Sequence, residues 1–197
     1  GMGIAAALEE IYSPPWAAGR FLREQGARAH LLVPEGALED FAGVPVDAEA
    51  PDAVVVGDLG EGWTFERLNR AFRLIHERGA RLIGLGRTRY WQAADGLRLD
   101  VGPFVAALEA ATGRPALILG KPDPAFFRMV LADLGLPPER VAMVGDDIEV
   151  DVGGAQAVGM RGILVQTGKF RPADRQGPVR PDVVLESVAD LLPWIAA

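Results

Sequence analysis

A chain of 197 residues, 49% hydrophobic and 24% charged, has enough apolar side chain for one globular domain or two small ones, which excludes a disordered or collagen-like polymer. Its 27 acidic residues outnumber 20 basic ones, and the formal charge of -7 repels phosphate backbones and anionic lipid, so neither nucleic acid nor membrane is an expected partner. With no cysteine and only His30 and His76, disulfides, Cys-ligated metals and His-rich sites are excluded, and any metal must be a hard ion held by carboxylates. No apolar run reaches the length of a membrane span, and the start lacks the basic region and cleavage site of a signal peptide. A cytoplasmic protein is expected, with Gly1 as an expression leftover.

In chain order, short β-branched runs alternate with longer amphipathic segments, an α/β pattern. Ser13-Pro14-Pro15 reads as an N-cap and first turn that open a helix to about Gln25. Strands are expected at His30 to Val33, Asp52 to Gly57 and Arg81 to Leu85. Between the last two, Thr64 caps a helix whose apolar positions Leu68, Ala71, Phe72 and Ile75 keep a 3.6-residue period. An irregular stretch, Arg87 to Leu99, precedes a helix from about Pro103 to Gly113 and a fourth strand, Ala116 to Leu119. Asp123-Pro124 opens a helix ended by Gly135, and Val141 to Val144 reads as a buried strand that stops at Gly145-Asp146-Asp147. A helix starting at Asp151 to Gly154 then leads to a strand at Gly162 to Val165. After a Pro- and Arg-rich loop over Lys169 to Pro181, the tail fits one short strand, Asp182 to Leu185, and a closing helix to Ile195.

Chemistry concentrates where the strand before Gly145 ends. Asp146, Asp147, Glu149 and Asp151 put four acids within six residues at the carboxyl end of a strand, where ligands of open α/β sheets collect. Such acids repel one another unless a cation compensates, and Mg²⁺ is commonly held by one or two carboxylates plus phosphate oxygens. The same spacing also fits acids that favour the positive end of a helix. Lys121 is the second feature. Of the 20 basic residues, 18 are arginine, and only Lys121 and Lys169 are lysine. Lys121 ends a strand before Pro122-Asp123-Pro124, where a compact ammonium can neutralise a phosphoryl group or a carboxylate nucleophile.

Gly120-Lys121-Pro122 with Phe126-Phe127, and Gly145-Asp146-Asp147 with Asp151-Val152-Gly153-Gly154-Ala155 and Gly159-Met160, resemble the third and fourth motifs of the haloacid dehalogenase-like (HAD) phosphohydrolase superfamily. Asn69 to Leu74, Gly102 to Val105 and Thr167 to Arg171 narrow the likeness to the NagD-type (subfamily IIA) phosphatases. Within that branch the chain is most similar to the phospholysine phosphohistidine inorganic pyrophosphate phosphatase-like proteins, over roughly residues 9 to 195. The resemblance implies an α/β fold: the C-terminal half of a HAD-like Rossmannoid core plus an inserted α/β cap of the C2 type. The expected division is 1–12 as a remnant of the N-terminal core, 13–114 as the cap and 115–197 as the core half.

By position in those motifs, Asp146 would ligate Mg²⁺ directly, Asp151 would bind or orient the hydrated ion, and Lys121 would be the catalytic lysine that steadies nucleophile and phosphoryl group. Asp147 is a further outer candidate, and Arg87 and Arg89 are candidate substrate contacts from the cap. The implied activity is Mg²⁺-dependent hydrolysis of a small phosphorylated metabolite through an aspartyl-phosphate, in a homodimer. The family's nucleophile lies in an N-terminal DxDG-type motif, and no Asp-x-Asp pair precedes the cap here. The resemblance therefore implies a truncated form that is inactive alone, and two central strands missing between the strand before Lys121 and the strand before Asp146. A noncatalytic cap, dimerisation or binding module is the alternative. A phosphate-receiver domain, with Asp58 as phosphoacceptor, fits less well, because Leu59-Gly60-Glu61-Gly62 reads as a cap loop.

Overall fold

The computed structural model describes residues 7–195, so the expected core remnant over 1–12 lies partly outside the described residues. The chain divides into two compact units, Gly1–Gly120 and Lys121–Ala197.

The first unit is built on a parallel four-stranded sheet. Its strands are β1 (Ala29–Leu32), β2 (Ala53–Val56), β3 (Arg81–Gly84) and β6 (Leu117–Ile118), in the order β1-β2-β3-β6. Parallel neighbours need crossovers, and the sequence supplies them as α2 (Phe65–His76) between β2 and β3 and α3 (Val101–Thr112) between β3 and β6. A further helix, α1 (Pro14–Gln25), precedes β1 and packs on the helical turn Glu35–Phe41. Ser13 and Thr64 accept the backbone N–H groups of Trp16 and Arg67, at 3.0 and 3.2 Å, so the two capping residues expected from sequence start their helices.

Every residue of β2 is buried, as expected of an inner parallel strand covered on both faces. Val54, Val56 and Leu82 join Leu74 and Ile75 of α2 and Val105 and Leu108 of α3 in one core cluster. Full burial of a side chain such as Ile75 contributes about 1.5–3 kcal/mol before ordering costs are counted. At the sheet's N-terminal end Arg28 binds Asp52 through two nitrogens at 3.0 Å and holds its carboxyl down at about 2.

Two features depart from the sequence reading. The strand over 116–119, grouped there with the segment that follows, instead extends the first sheet: β6 pairs with β3, and Leu119 donates to the Gly84 carbonyl at 2.9 Å. Glycine at 84 permits the approach, since a Cβ there would lie 2.8 Å from the Ile118 side chain. The stretch expected to be irregular holds an antiparallel hairpin, β4 (Tyr90–Ala93) and β5 (Gly96–Leu99), joined through Ala94 and Asp95.

The second unit carries a parallel three-stranded sheet, β7 (Ala142–Gly145), β8 (Arg161–Val165) and β9 (Val183–Leu185). α4 (Pro124–Leu134), capped by Asp123, runs before β7, and α6 (Leu191–Ile195) follows β9. Ile163, Leu164 and Val165 of the middle strand are buried. β7, read from sequence as buried, pairs among the described residues with β8 alone; Ala142 is exposed and Met143 to Gly145 are half-buried. The connection from β7 to β8 begins with a six-residue π-helical stretch, Ile148–Gly153, and only its end, α5 (Gly154–Gln156), is α-helical.

Candidate active site

The second unit assembles one polar cluster at the carboxyl end of β7. Asp147 accepts the backbone N–H groups of Glu149 and Val150 through Oδ1, at 3.2 and 3.0 Å, and so caps the π-helical stretch. The Asp147 carbonyl accepts from Asp151 at 3.0 Å and from Val152 at 3.3 Å, a widened turn that brings Asp151 back beneath the loop.

Asp151 is the buried charge of the cluster, with a side chain 7% exposed. Lys121 Nζ donates to its Oδ1 at 2.7 Å, and the Asp147 backbone N–H donates to its Oδ2 at 3.3 Å. A buried carboxylate is tolerated only when paired and hydrogen-bonded, and both conditions are met. The Lys121 side chain is 36% exposed. Space for Asp151 comes from Gly145, because a Cβ at that position would collide with the Asp151 carboxylate.

Asp146 is held from the other side of the sheet end. Its Oδ2 accepts the backbone N–H of Lys169 at 2.7 Å, from the turn after β8. Lys169 Nζ also lies 3.4 Å from Asp147 Oδ2. Both lysines of the chain therefore meet the same acidic loop. Lys169 was not among the residues singled out for a role; the signal that pointed to it was the rarity of lysine in an arginine-rich chain. Its backbone contact leaves no trace in residue type.

The two arginines named as candidate substrate contacts both make contacts within the first unit. Arg87 forms a two-pronged pair with Glu109 at 2.8 and 3.0 Å, and this guanidinium, aided by the Ala116 N–H, holds the Glu109 carboxyl below its ordinary range. The Arg89 guanidinium lies 5.8 Å from the centre of the Tyr90 ring. Asp58 accepts the Gly60 N–H at 2.8 Å in a local turn.

Among the described residues no group of three or more His, Cys, Asp or Glu side chains converges as a complete metal cage. The donor set suits a more lightly held ion. Asp146 Oδ1 accepts no hydrogen bond from the described residues, whereas both oxygens of Asp151 are taken. One carboxylate oxygen without a hydrogen-bond donor suits Mg²⁺, which keeps several waters and is bound by one or two carboxylates plus phosphate oxygens. No helix among the described residues is long and apolar enough to cross a membrane.

Comparison with known proteins adds three findings. Residues 118–191 match the family described as HAD-hydrolase-like. The chain is 42% identical over 191 residues to phospholysine phosphohistidine inorganic pyrophosphate phosphatase of Rattus norvegicus, covering 96% of this chain and 70% of that protein. Among solved structures, p-nitrophenyl phosphatase from Archaeoglobus fulgidus superimposes with a TM-score of 0.89 at 30% identity, over 98% of this chain and 77% of that one. The 4-nitrophenylphosphatase from Thermotoga maritima gives 0.89 at 31% identity, over 98% and 75%.

Proposed function

Because the chain belongs to the haloacid dehalogenase-like hydrolases, we propose that it is the metal-binding and lysine-bearing part of a Mg²⁺-dependent phosphatase for small phosphate monoesters. The observation that carries this reading is the pairing of Lys121 with buried Asp151 at 2.7 Å, in the loop that also carries Asp146, whose Oδ1 accepts no hydrogen bond from the described residues. Asp146 would hold Mg²⁺ through Oδ1, and Asp151 would orient the ion's water shell from behind. When bound, the ion supplies positive charge against the phosphoryl oxygens. Lys121 supplies a second positive charge. Its side chain, 36% exposed, can donate to a phosphoryl oxygen, and the Asp151 contact fixes where that donor points.

The family chemistry also needs a nucleophile. An aspartate carboxylate attacks phosphorus and expels the alcohol, and water then cleaves the acyl phosphate to release inorganic phosphate. These 197 residues hold no Asp-x-Asp pair. We therefore assign the covalent step to a carboxylate from outside them and expect no turnover from them alone. The test joins a DxD-bearing segment to the chain and follows p-nitrophenyl phosphate hydrolysis. Mg²⁺-dependent release from the joined protein, abolished by EDTA and absent from the 197 residues alone, is the expected result. Release that ignores EDTA, or that occurs without the added segment, overturns the assignment.

We further propose that the 197 residues, taken without a DxD-bearing segment, associate as two copies through the edge of β7 that is unpaired among the described residues. An apolar groove of about 430 Å³ is shared by β7, β8 and the closing helix, lined by Val144, Ile163, Leu191 and Trp194 among others. Its lining includes Glu139 as well as Arg140 and Arg161, so a two-fold mate meets opposite charges. Light scattering at micromolar concentration is expected to give the mass of two chains, and a one-chain mass overturns this arrangement.

A further inference from the structure

The geometry points to the turn after β8, Thr167-Gly168-Lys169, as a positioning element that holds Asp146 in place to receive Mg²⁺, an inference that rests on the metal reading above. Asp146 lies one residue past the end of β7 and is half-buried, so the strand's ladder does not fix its carboxylate. The Lys169 backbone N–H, 2.7 Å from Oδ2, does so from the neighbouring connection. A charge-assisted bond of that length selects Oδ2 and leaves Oδ1 without a hydrogen bond from the described residues.

Gly168 makes the contact possible in two ways. Its φ of +54° is the left-handed conformation that turns the next N–H toward Asp146, and a Cβ at this position would collide with Asp146 Oδ2. The side chain of Lys169 contributes less: its ammonium is half exposed and 3.4 Å from Asp147. The positioning is thus done by a main-chain N–H and by the absence of a side chain at 168.

Magnesium titration calorimetry on the 197-residue chain separates these contributions. Gly168→Ala is expected to weaken Mg²⁺ binding by at least about tenfold, the usual scale for losing a group that orients a metal ligand. Gly168→Asn tolerates a positive φ but places the same Cβ against Asp146, so it should lose affinity equally. Lys169→Ala keeps the N–H and should bind within about twofold of the original. Unchanged affinity in Gly168→Ala, or recovery in Gly168→Asn, overturns the proposal. A parent chain that takes up no Mg²⁺ overturns the metal reading as well. If the Gly168 variants do not fold, exchange of the Lys169 amide decides: it should speed at least about tenfold in Asp146→Ala, and unchanged exchange overturns the clamp.

Discussion

Asp146→Asn is expected to lower kcat by at least about 100-fold in the catalytically complete form, close to 2.7 kcal/mol of transition-state stabilisation. The substitution preserves shape, so the loss is chemical. The Lys169 N–H, 2.7 Å from one carboxylate oxygen, will take the amide oxygen of the new side chain as its acceptor. The amide NH₂ then takes the place of Oδ1, where a hydrogen-bond donor replaces an anionic oxygen. Because Asp146 is only half-buried, the urea midpoint should hardly move, and phosphate release measured with a Mg²⁺ series isolates the defect. Full activity in this variant would remove Asp146 from the metal assignment.

Lys121→Met should act on stability as well as turnover. It strips Asp151, 7% exposed, of the donor at 2.7 Å and leaves it the Asp147 N–H at 3.3 Å. Removing one partner of a fully buried ion pair costs about 3–5 kcal/mol, and water reaching Lys121's exposed third reduces this to about 1–3 kcal/mol. Asp151→Asn in the same background removes the stranded charge and should restore part of the loss. A double-mutant cycle in urea is therefore expected to give a coupling of about 1 kcal/mol or more. A coupling near zero would show that the pair carries no structural weight and that Lys121 is held by other contacts.

What could be read from sequence follows the range of the interactions involved. Caps and strands such as Ser13, Thr64 and the buried run Ala53–Val56 rest on neighbours within a few residues, and the structure has them where the pattern placed them. The partner of Leu117–Ile118 is a tertiary choice, made by an open edge on β3 and the missing Cβ of Gly84, and residue types near 117 carry no record of it. The hairpin at 90–99 pairs Tyr90 with Leu99 and Trp91 with Arg98, so its alternation of apolar and polar residues is too weak to register. Over the six residues Ile148–Gly153 a π turn and an α turn predict the same polar pattern. At the site, Lys121 and the acids stood out by type, whereas the hold on Asp146 passes through a backbone N–H that any residue but proline would offer.

The scarcity of lysine has a practical consequence for chemical labelling. Both lysine side chains of these 197 residues sit against one acidic loop, so within them an acylating reagent that modifies lysine and ignores arginine addresses that loop. Lys169, half exposed, offers its amine readily, while the amine of Lys121 is masked by a buried carboxylate at 2.7 Å. The order in which the two amines acquire mass reports the state of the loop in solution. These residues thus carry an intrinsic footprinting probe at the place where their chemistry is assigned.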